Sequence, residues 1–394
     1  IAVGHVRYST TGHPSRENAQ PVCITHCKGN LAITHNGNLV NAGKLRRQIE
    51  LDGGIFRSSS DTEVLAYTIE RLKCGSIEQA VLHAMGKIEG AYSLAIMSPR
   101  KLIAARDPHG FRPLCIGKLM HSYVVASESC ALDALGATFI RDIEPGELIV
   151  IEDGELRSMK CDIKCDHTTC VFEYIYFARP DSVVDGASVA FARQEAGRYL
   201  AEEYPVDADV VVGVPDSGIP AAIGYSKASG IPYDVGLIKN KYIGRTFIQP
   251  GQDKRERSVR IKLNALRNNL EGKRVILVDD SIVRGTTCAR LVKILKDAGA
   301  KEVHMRISSP SVLNPCYFGI DTATSEELIG HSRSVEEICR FIGADSLKFL
   351  SLPDLLKTVA GSGCQFCTGC FDGDYPIDPE TGEMHGMEEE HDYV

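Results

Sequence analysis

The feature that most constrains this chain is the thirteen-residue segment Val275–Thr287. Four consecutive aliphatic residues predict a buried β-strand, and Asp279 and Asp280 follow it directly. A loop of small and hydroxyl residues then leads into a predicted helix. In open α/β sheets, ligands bind beyond the carboxyl ends of the strands. The segment therefore predicts an α/β domain with a polar site at this strand end. The alternative interpretation is purely structural: a strand end followed by a polar helix cap.

The residue types of this segment suit a phosphorylated sugar. Gly285 lets the backbone come close to a ligand, and Thr286, Thr287 and the free N–H groups of the helix start can hold a phosphate. Two carboxylates beside that phosphate would repel it. Asp279 and Asp280 therefore suit ribose hydroxyls or a hydrated Mg²⁺.

A second predicted strand, Val210–Val214, precedes Asp216, Ser217 and Gly218. The backbone N–H groups of this loop can face a pyrophosphate, and a simple tight turn is an equally good reading. The basic stretch 239–262 lies between the two strand ends. We interpret it as a lid that closes over an anion, although in an acidic protein such a loop is usually solvated surface. Its candidate residues are Arg245, Lys254 and Arg255.

Alternating strands and helices after about residue 159 predict a doubly wound parallel sheet. Residues 1–158 instead predict strands and turns with two helical stretches, typical of stacked sheets and helices. Within them, His35–Asn38 is a tight-turn signal between two apolar runs. We predict domains over 1–158 and 159–350, followed by a C-terminal segment, 351–394, with a cysteine cluster and an acidic tail.

Four positions in the first domain are chemically suggestive, although each is ordinary alone. Arg7 can grip a carboxylate at two points, and Asp61 can bind an α-ammonium group or simply cap a helix. Asn36 and Gly37 offer a side-chain amide and a backbone N–H, the donors of an oxyanion hole.

The chain has 14 Cys in 394 residues, and Cys364, Cys367 and Cys370 lie within seven positions. No secretory signal opens the chain, so such a cluster more often holds a metal or an iron–sulfur centre than disulfides. The net charge of -8 argues against general nucleic-acid binding. No apolar run approaches the roughly 20 residues that cross a membrane.

Val275–Thr287 resembles the phosphoribosyl pyrophosphate motif of type I phosphoribosyltransferases, and Tyr242–Gln252 resembles the amidophosphoribosyltransferase family, which opens de novo purine synthesis with glutamine as nitrogen donor. The resemblance implies formation of 5-phosphoribosylamine from phosphoribosyl pyrophosphate and glutamine-derived ammonia, with release of pyrophosphate and glutamate. It implies that Ser217, Asp279 and Asp280 coordinate one Mg²⁺ per subunit. Asp216, Ser217, Gly218, Asp279, Asp280, Gly285, Thr286 and Thr287 would bind the substrate.

The N-terminal positions, taken in order, resemble the glutaminase domain of N-terminal-nucleophile amidotransferases. The implied fold is a four-layer αββα sandwich, here incomplete, with Arg7 and Asp61 binding glutamine and Asn36 and Gly37 as the oxyanion hole. That family's nucleophile is an N-terminal Cys, whereas this chain begins with Ile1. We therefore expect an N-terminal truncation, an unassigned nucleophile and no glutamine hydrolysis by the chain as written.

Cys170, Cys316, Cys367 and Cys370 match the cysteine pattern of family members that carry one [4Fe–4S] cluster per subunit. Four thiolates also suit zinc, and Cys364 is an extra thiol that can replace Cys367. The family further implies homotetramers, inhibition by purine nucleotides, and a cytoplasmic protein, or a plastid one if the source is a plant.

Three rival functions remain to be separated by assay. A hexosamine-type amidotransferase would need a sugar isomerase half in place of Val275–Thr287. A nucleobase salvage transferase would lack the glutaminase-like portion. A regulatory, non-catalytic sensor of phosphoribosyl pyrophosphate that binds DNA would need a basic domain, which the nearly neutral N-terminal half does not offer.

Overall fold

The structure is a computed structural model that describes residues 1–7, 15–26, 29–72, 74–240, 263–320 and 324–379. Its strands are β1 Val22–His26, β2 Gly29–Leu39, β3 Gly90–Met97, β4 Lys101–Arg106, β5 Cys115–Leu119, β6 Ser122–Ala126, β7 Thr138–Asp142, β8 Glu147–Glu152, β9 Glu155–Lys160, β10 Thr168–Cys170, β11 Val183–Val184, β12 Ala187–Ser188, β13 Val210–Gly213, β14 Leu237–Lys239, β15 Leu263–Ala265, β16 Arg274–Asp279, β17 Glu302–Ile307, β18 Ser346–Phe349 and β19 Gln365–Cys367.

The α-helices are α1 Ala42–Leu51, α2 Asp61–Arg71, α3 Ile77–Met85, α4 Ser129–Leu135, α5 Val189–Glu203, α6 Ile219–Ser229, α7 Arg267–Leu270, α8 Thr286–Asp297, α9 Ile329–Ser332, α10 Val335–Ile342, α11 Leu352–Thr358 and α12 Gly369–Asp372. Short 3₁₀ turns cover Arg16–Asn18, Ser325–Glu327 and Ala360–Ser362, and a π-helix covers Glu173–Phe177. Within the described residues, none of the helices combines the length and apolar character required to cross a bilayer.

The N-terminal part has four layers. A six-stranded antiparallel sheet has the order β1-β2-β3-β4-β8-β9, and a three-stranded sheet has the order β6-β5-β7. Alternate residues of β4 face opposite sides, because side chains alternate along a strand. Ile103 and Ala105 pack towards α2 and α3, whereas Ala104 packs towards Ile116 of the second sheet. Leu132 of α4 packs on the outer side of β5. The predicted αββα arrangement is confirmed.

The transferase part is built on a four-stranded parallel sheet with the order β13-β16-β17-β18. Val211 and Ile276 face α5 and α6, whereas Val212 and Leu277 face α8 and α10. Both faces are covered by helices, which explains the unbroken aliphatic runs. The predicted doubly wound fold is confirmed, and the domain boundaries at 158 and 350 remain predictions.

One local prediction was wrong. His35–Asn38 does not form a tight turn but lies inside the long strand β2, where Asn36 pairs with Ser93 and Gly37 with Tyr92 of β3. Gly37 has φ of 148°, and a Cβ there would lie 2.0 Å from the carbonyl oxygen of Ala91. Glycine is therefore needed at position 37 because the backbone of β3 comes close to it, and not because the chain turns there.

Candidate functional site

The acid pair lies where the sequence places it, at the carboxyl end of β16, and it is almost fully buried. Asp279 is 6% exposed and Asp280 is 7% exposed. Burial, followed by the neighbouring charge of Asp280, raises the pKa of Asp279 well above its ordinary value. Two adjacent buried carboxyl groups disfavour each other's ionisation, so this strand end favours a proton or a bound cation.

The loop after β13 meets the acid pair from the adjacent strand. Ser217 donates its hydroxyl hydrogen to Asp280 Oδ1 at 2.5 Å, and Ser281 donates to Oδ2 at 2.6 Å. A Cβ at Gly218 would lie 2.4 Å from the carbonyl oxygen of Val278. Only glycine fits this approach of loop to strand. The structure therefore brings Ser217 to the acid pair Asp279 and Asp280, the three side chains predicted to hold a cation.

Lys239, the last residue of β14, forms an ion pair with Asp216 at 2.5 Å between Nζ and Oδ2. This contact joins the loop after β13 to the strand that leads towards the predicted lid. The lid residues Arg245, Lys254 and Arg255 themselves lie outside the described residues.

The helix start predicted to hold a phosphate is formed by α8. Gly285 is its N-cap with φ of 75°, a left-handed conformation that favours glycine. A Cβ at this position would also lie 2.7 Å from Ile329 Cδ1. Thr286 and Thr287 are the first two residues of the helix. Their backbone N–H groups lack partners within the helix, as at any helix start, and can donate to an anion.

The glutaminase-like residues gather around Asp61, which is the first residue of α2. Ser60, not Asp61, caps this helix, because its hydroxyl accepts from the N–H of Thr62. Asp61 Oδ2 accepts from the N–H of Leu39 at 3.1 Å and lies 3.4 Å from His35 Nδ1. Burial alone would raise the pKa of Asp61, but the charge of His35 and these hydrogen bonds lower it.

Arg7 also lies within electrostatic range of Asp61. Burial lowers the pKa of Arg7, and the Asp61 carboxylate opposes that change. The two residues predicted to bind the charged ends of glutamine therefore influence each other electrostatically, although they lie 54 positions apart in the sequence.

Among the described residues, the Asn36 side chain has one hydrogen bond, which its Oδ1 accepts from Arg112 Nη2 at 3.4 Å. Because the carbonyl oxygen is taken, the amide NH₂ is the end that remains available as a donor. Gly319 packs so closely on Gly37 that a Cβ at 319 would lie 2.8 Å from the Gly37 carbonyl carbon. The predicted oxyanion donors thus contact the segment that follows Cys316.

Arg112 was not singled out from the sequence as a site residue. It is buried, and its Nη1 lies 2.9 Å from Glu173 Oε1. Burial would lower the pKa of Arg112, but Glu173, with smaller contributions from Cys170 and Cys316, raises it. Arg112 thus lies between the predicted oxyanion hole and the cysteine set. The segment Ala105–Leu114 that contains it also resembles the glutaminase domain, and this resemblance was the available signal.

Three separate stretches of chain bring Cys170, Cys316 and the pair Cys367 and Cys370 together. β10 pairs in parallel with β19, with Cys170 opposite Cys367. Burial, followed by the charges of the other three thiols, raises the pKa of Cys370 well above its ordinary value. A bound metal would replace the thiol protons and stabilise the thiolate forms.

Comparison with known proteins agrees with both halves. Residues 5–134 match the model of a glutamine amidotransferase domain, and residues 188–308 match that of a phosphoribosyl transferase domain. The chain is 52% identical over 382 residues to the amidophosphoribosyltransferase of Bacillus subtilis, covering 96% of this chain and 80% of that protein. The chain belongs to the amidophosphoribosyltransferase family.

Other relatives in this family are equally similar. The Archaeoglobus fulgidus amidophosphoribosyltransferase is 52% identical and shares 95% of this chain and 83% of its own. The solved Bacillus subtilis glutamine phosphoribosylpyrophosphate amidotransferase, complexed with ADP and GMP, superposes with a TM-score of 0.88 at 52% identity. That match covers 95% of this chain and 83% of the other. The predicted enzyme class, a glycosyltransferase with an amidotransferase half, is confirmed.

Proposed function

We propose that this chain forms 5-phosphoribosylamine and pyrophosphate from phosphoribosyl pyrophosphate and ammonia derived from glutamine, the first committed step of purine synthesis. One observation carries the proposal. A buried pair of carboxyl groups, a serine hydroxyl and an open helix start converge at the carboxyl ends of two adjacent parallel strands. This arrangement suits a phosphorylated pentose with a cation.

The oxygen donors of Ser217, Asp279 and Asp280 fit Mg²⁺, which prefers hard oxygen ligands and is held by one or two carboxylates plus substrate phosphates. When bound, Mg²⁺ supplies positive charge that offsets the charge developing on departing pyrophosphate. Asp279 and Asp280 would orient the ribose hydroxyls. Because burial and Asp280 raise the pKa of Asp279, an adjacent cation favours the ionised form of Asp279.

We also propose groups that contact the rest of the donor; the position of the start of α8 and of the loop after β13 supports the first two assignments. Gly285, Thr286 and Thr287 would hold the 5-phosphate at the start of α8, and the loop Asp216–Gly218 would face the pyrophosphate. The lid residues Arg245, Lys254 and Arg255 would exclude water, so that ammonia rather than water attacks C1 as positive charge builds on the sugar ring.

In the glutamine half, we assign the substrate carboxylate to Arg7 and its ammonium group to Asp61. The amide of Asn36 and the N–H of Gly37 would stabilise the oxyanion. The proximity of Arg7 to Asp61 and the oriented amide of Asn36 support these roles. The nucleophile is not assigned to a residue of this chain.

We assign Cys170, Cys316, Cys367 and Cys370 to an iron–sulfur cluster. The pairing of β10 with β19, which sets Cys170 opposite Cys367, and the electrostatic influence of the other three thiols on Cys370 support a shared site. A set of four cysteine thiolates is the usual ligand set of such clusters. Such a cluster would tie the C-terminal segment to the transferase domain.

Purine nucleotides as inhibitors and a homotetrameric assembly complete the proposal. The nucleotide part draws on the Bacillus subtilis relative, whose solved structure contains ADP and GMP.

Pyrophosphate release tests the function. The full chain, purified anaerobically, is supplied with phosphoribosyl pyrophosphate and Mg²⁺ together with ammonia, with a purine base, or with neither. We expect release with ammonia above the other two reactions. Release with the purine base would identify a salvage transferase. Binding of the sugar donor without release under any condition would identify a sensor and overturn the proposal.

Visible absorbance of the same preparation tests the cluster independently. We expect a brown protein with about four iron atoms per chain. A colourless protein that contains zinc would remove the cluster and leave the transferase proposal standing.

A further inference from the structure

A second group of metal-binding side chains lies apart from the four-cysteine set. The ligand atoms of His167, Asp185 and Cys364 all lie within 4.8 Å of one another. They come from the loop before β10, the turn between β11 and β12, and the loop before β19. The proposed reaction uses none of them.

Strand register explains why two of these residues meet. β10 and β19 pair in parallel with Cys170 opposite Cys367. Three positions earlier on each strand stand His167 and Cys364, and the N–H of Gln365 donates to the carbonyl oxygen of His167 at 2.9 Å. Three residues of strand rise about 10 Å. The two-stranded ladder therefore carries a pair of metal-binding side chains at each end, and the two pairs belong to separate sites.

The distances suit a small cation. His167 Nε2 lies 3.4 Å from Asp185 Oδ2. The Thr169 hydroxyl lies 3.0 Å from that nitrogen, 2.6 Å from Oδ2 and 3.8 Å from Cys364 Sγ. Ligand atoms around tetrahedral zinc lie roughly 3.3 to 3.8 Å apart, given bonds of about 2.0 to 2.3 Å. The separation of His167 from Asp185 lies within this range, and that of Thr169 from Cys364 lies at its upper end. The two shorter Thr169 distances are hydrogen bonds that a bound cation would replace.

We propose that His167, Asp185 and Cys364 form a second metal site that takes Zn²⁺, with the Thr169 hydroxyl or a water as fourth ligand. On binding, Cys364 loses its proton to solvent and the sulfur bonds the metal. The bound metal would cross-link the three segments of chain that supply these ligands. The inference does not depend on the proposed function.

Arg106 prepares the carboxylate for this role. Its Nη1 and Nη2 donate to Asp185 Oδ1 and Oδ2, both at 2.8 Å, and the Arg106 side chain is buried. Burial by itself would raise the pKa of Asp185, but these bonds lower it strongly, so the ligand is ionised. Ligand carboxylates in metal sites are commonly held by such outer hydrogen bonds.

Two competing readings make different predictions. In the first, the hydrogen bonds of Thr169 and the Arg106 pair satisfy the group without any metal. In the second, Cys364 is a ligand of the iron–sulfur cluster in place of Cys367. Zinc and iron contents, measured on the same protein, separate both readings from the proposal.

The test uses the full chain purified anaerobically, with zinc affinity measured by competition with a chromophoric chelator and iron counted per chain. We expect Cys364→Ala and His167→Gln each to weaken zinc binding by at least about tenfold while iron per chain stays unchanged. Cobalt(II), used as a spectroscopic probe, should show a thiolate charge-transfer band that Cys364→Ala removes.

The matched control is Cys74→Ala. Cys74 Sγ lies 3.4 Å from His83 Nδ1, a thiol–imidazole pair that no carboxylate joins in a metal-binding group among the described residues. We expect its zinc affinity to equal that of the wild type. The proposal is overturned if Cys364→Ala retains wild-type zinc affinity, if Cys74→Ala loses as much, or if iron falls with Cys364→Ala.

Thermal melting covers the case in which a variant folds poorly. A cation that binds only the folded chain raises the melting temperature. Zinc should therefore raise that of the wild type above its value in chelator, with a smaller rise for His167→Gln. An equal rise in both proteins contradicts the site.

Discussion

Asp279 in the transferase half and Asp61 in the glutaminase half are the same residue type at nearly the same burial, 6% and 7% exposed. Their pKa values nevertheless shift in opposite directions. Burial and the adjacent Asp280 raise the pKa of Asp279. At Asp61, the charge of His35 and two backbone hydrogen bonds outweigh burial and lower it. Surroundings, and not burial alone, decide the charge of a buried carboxyl group.

The difference separates two kinds of site. The glutaminase half pairs its buried acid with His35, so the charge of Asp61 is balanced before glutamine arrives. The transferase half places Asp279 beside Asp280, so Asp279 favours a proton until a cation arrives with the sugar donor. The following predictions test this contrast, in order of decreasing effect.

The largest effect should follow from removing both transferase acids. We expect Asp279→Asn combined with Asp280→Asn to lower the rate of ammonia-dependent pyrophosphate release by about 100-fold or more, because the metal loses its charged ligands. Asp297→Asn is the control. Asp297 is the last residue of α8, the helix that follows the acid pair, and it forms an exposed ion pair with Lys293. An equal loss in the control would show that the acid pair has no special role.

Asp61→Asn should destabilise the protein by about 3 kcal/mol, because it leaves buried His35 without its counter-charge. Urea unfolding at pH 6 measures this change. Asp52→Asn, which breaks an exposed pair with Arg71, should cost less than about 1 kcal/mol. Similar costs for the two variants would mean that burial does not strengthen the Asp61 pair.

Asp279→Asn should do the reverse in the absence of ligands. It removes a buried carboxyl group whose ionisation is disfavoured in the folded chain, and it keeps an oxygen that can accept from the N–H of Asp280. We expect the free energy of unfolding near pH 7 to rise by about 1 kcal/mol while activity falls, a trade-off between stability and function. A loss of stability, again from urea unfolding, would contradict the view that burying this acid costs stability.

The smallest effect concerns pH. Burial lowers the pKa of His35, but Asp61 raises it further, to above its ordinary 6.5. The stabilisation is therefore complete below pH 6.5 and is lost as pH rises through the folded-state pKa. For Asp61, whose pKa is below 3.8, it is present above that value and lost on acidification.

Unfolding free energies of wild type and His35→Gln should therefore differ most between about pH 4 and pH 6.5. Above this range the wild type should lose stability more steeply than the variant. Parallel pH profiles for the two proteins would exclude the ion pair as the cause.

Much of the transferase half could be predicted because its signals are local. The ligand-binding loops follow strands β13 and β16 directly in the sequence. Parallel pairing of the two strands then brings Ser217 to Asp280. Asp61, which the sequence also offered as a helix cap, is instead the first residue of α2, because Ser60 supplies the cap.

The glutaminase half was harder because its contacts join distant positions. The Asn-Gly pair at 36–37 predicts a turn locally, yet pairing with β3 extends the strand straight through it. The ion pair between Arg112 and Glu173 and the packing of Gly319 on Gly37 link positions far apart in sequence. No periodicity or local spacing encodes such contacts.

By itself, the sequence determined the parallel sheet, the acid pair behind its strand and the glycine that opens α8, since aliphatic runs, charge and backbone freedom act over a few residues. Only the tertiary structure decided which charges are balanced. His35 meets Asp61, and Arg106 meets Asp185, because sheet pairing and helix packing bring them together. Electrostatic energy depends on distance in space, which the order of residues does not state.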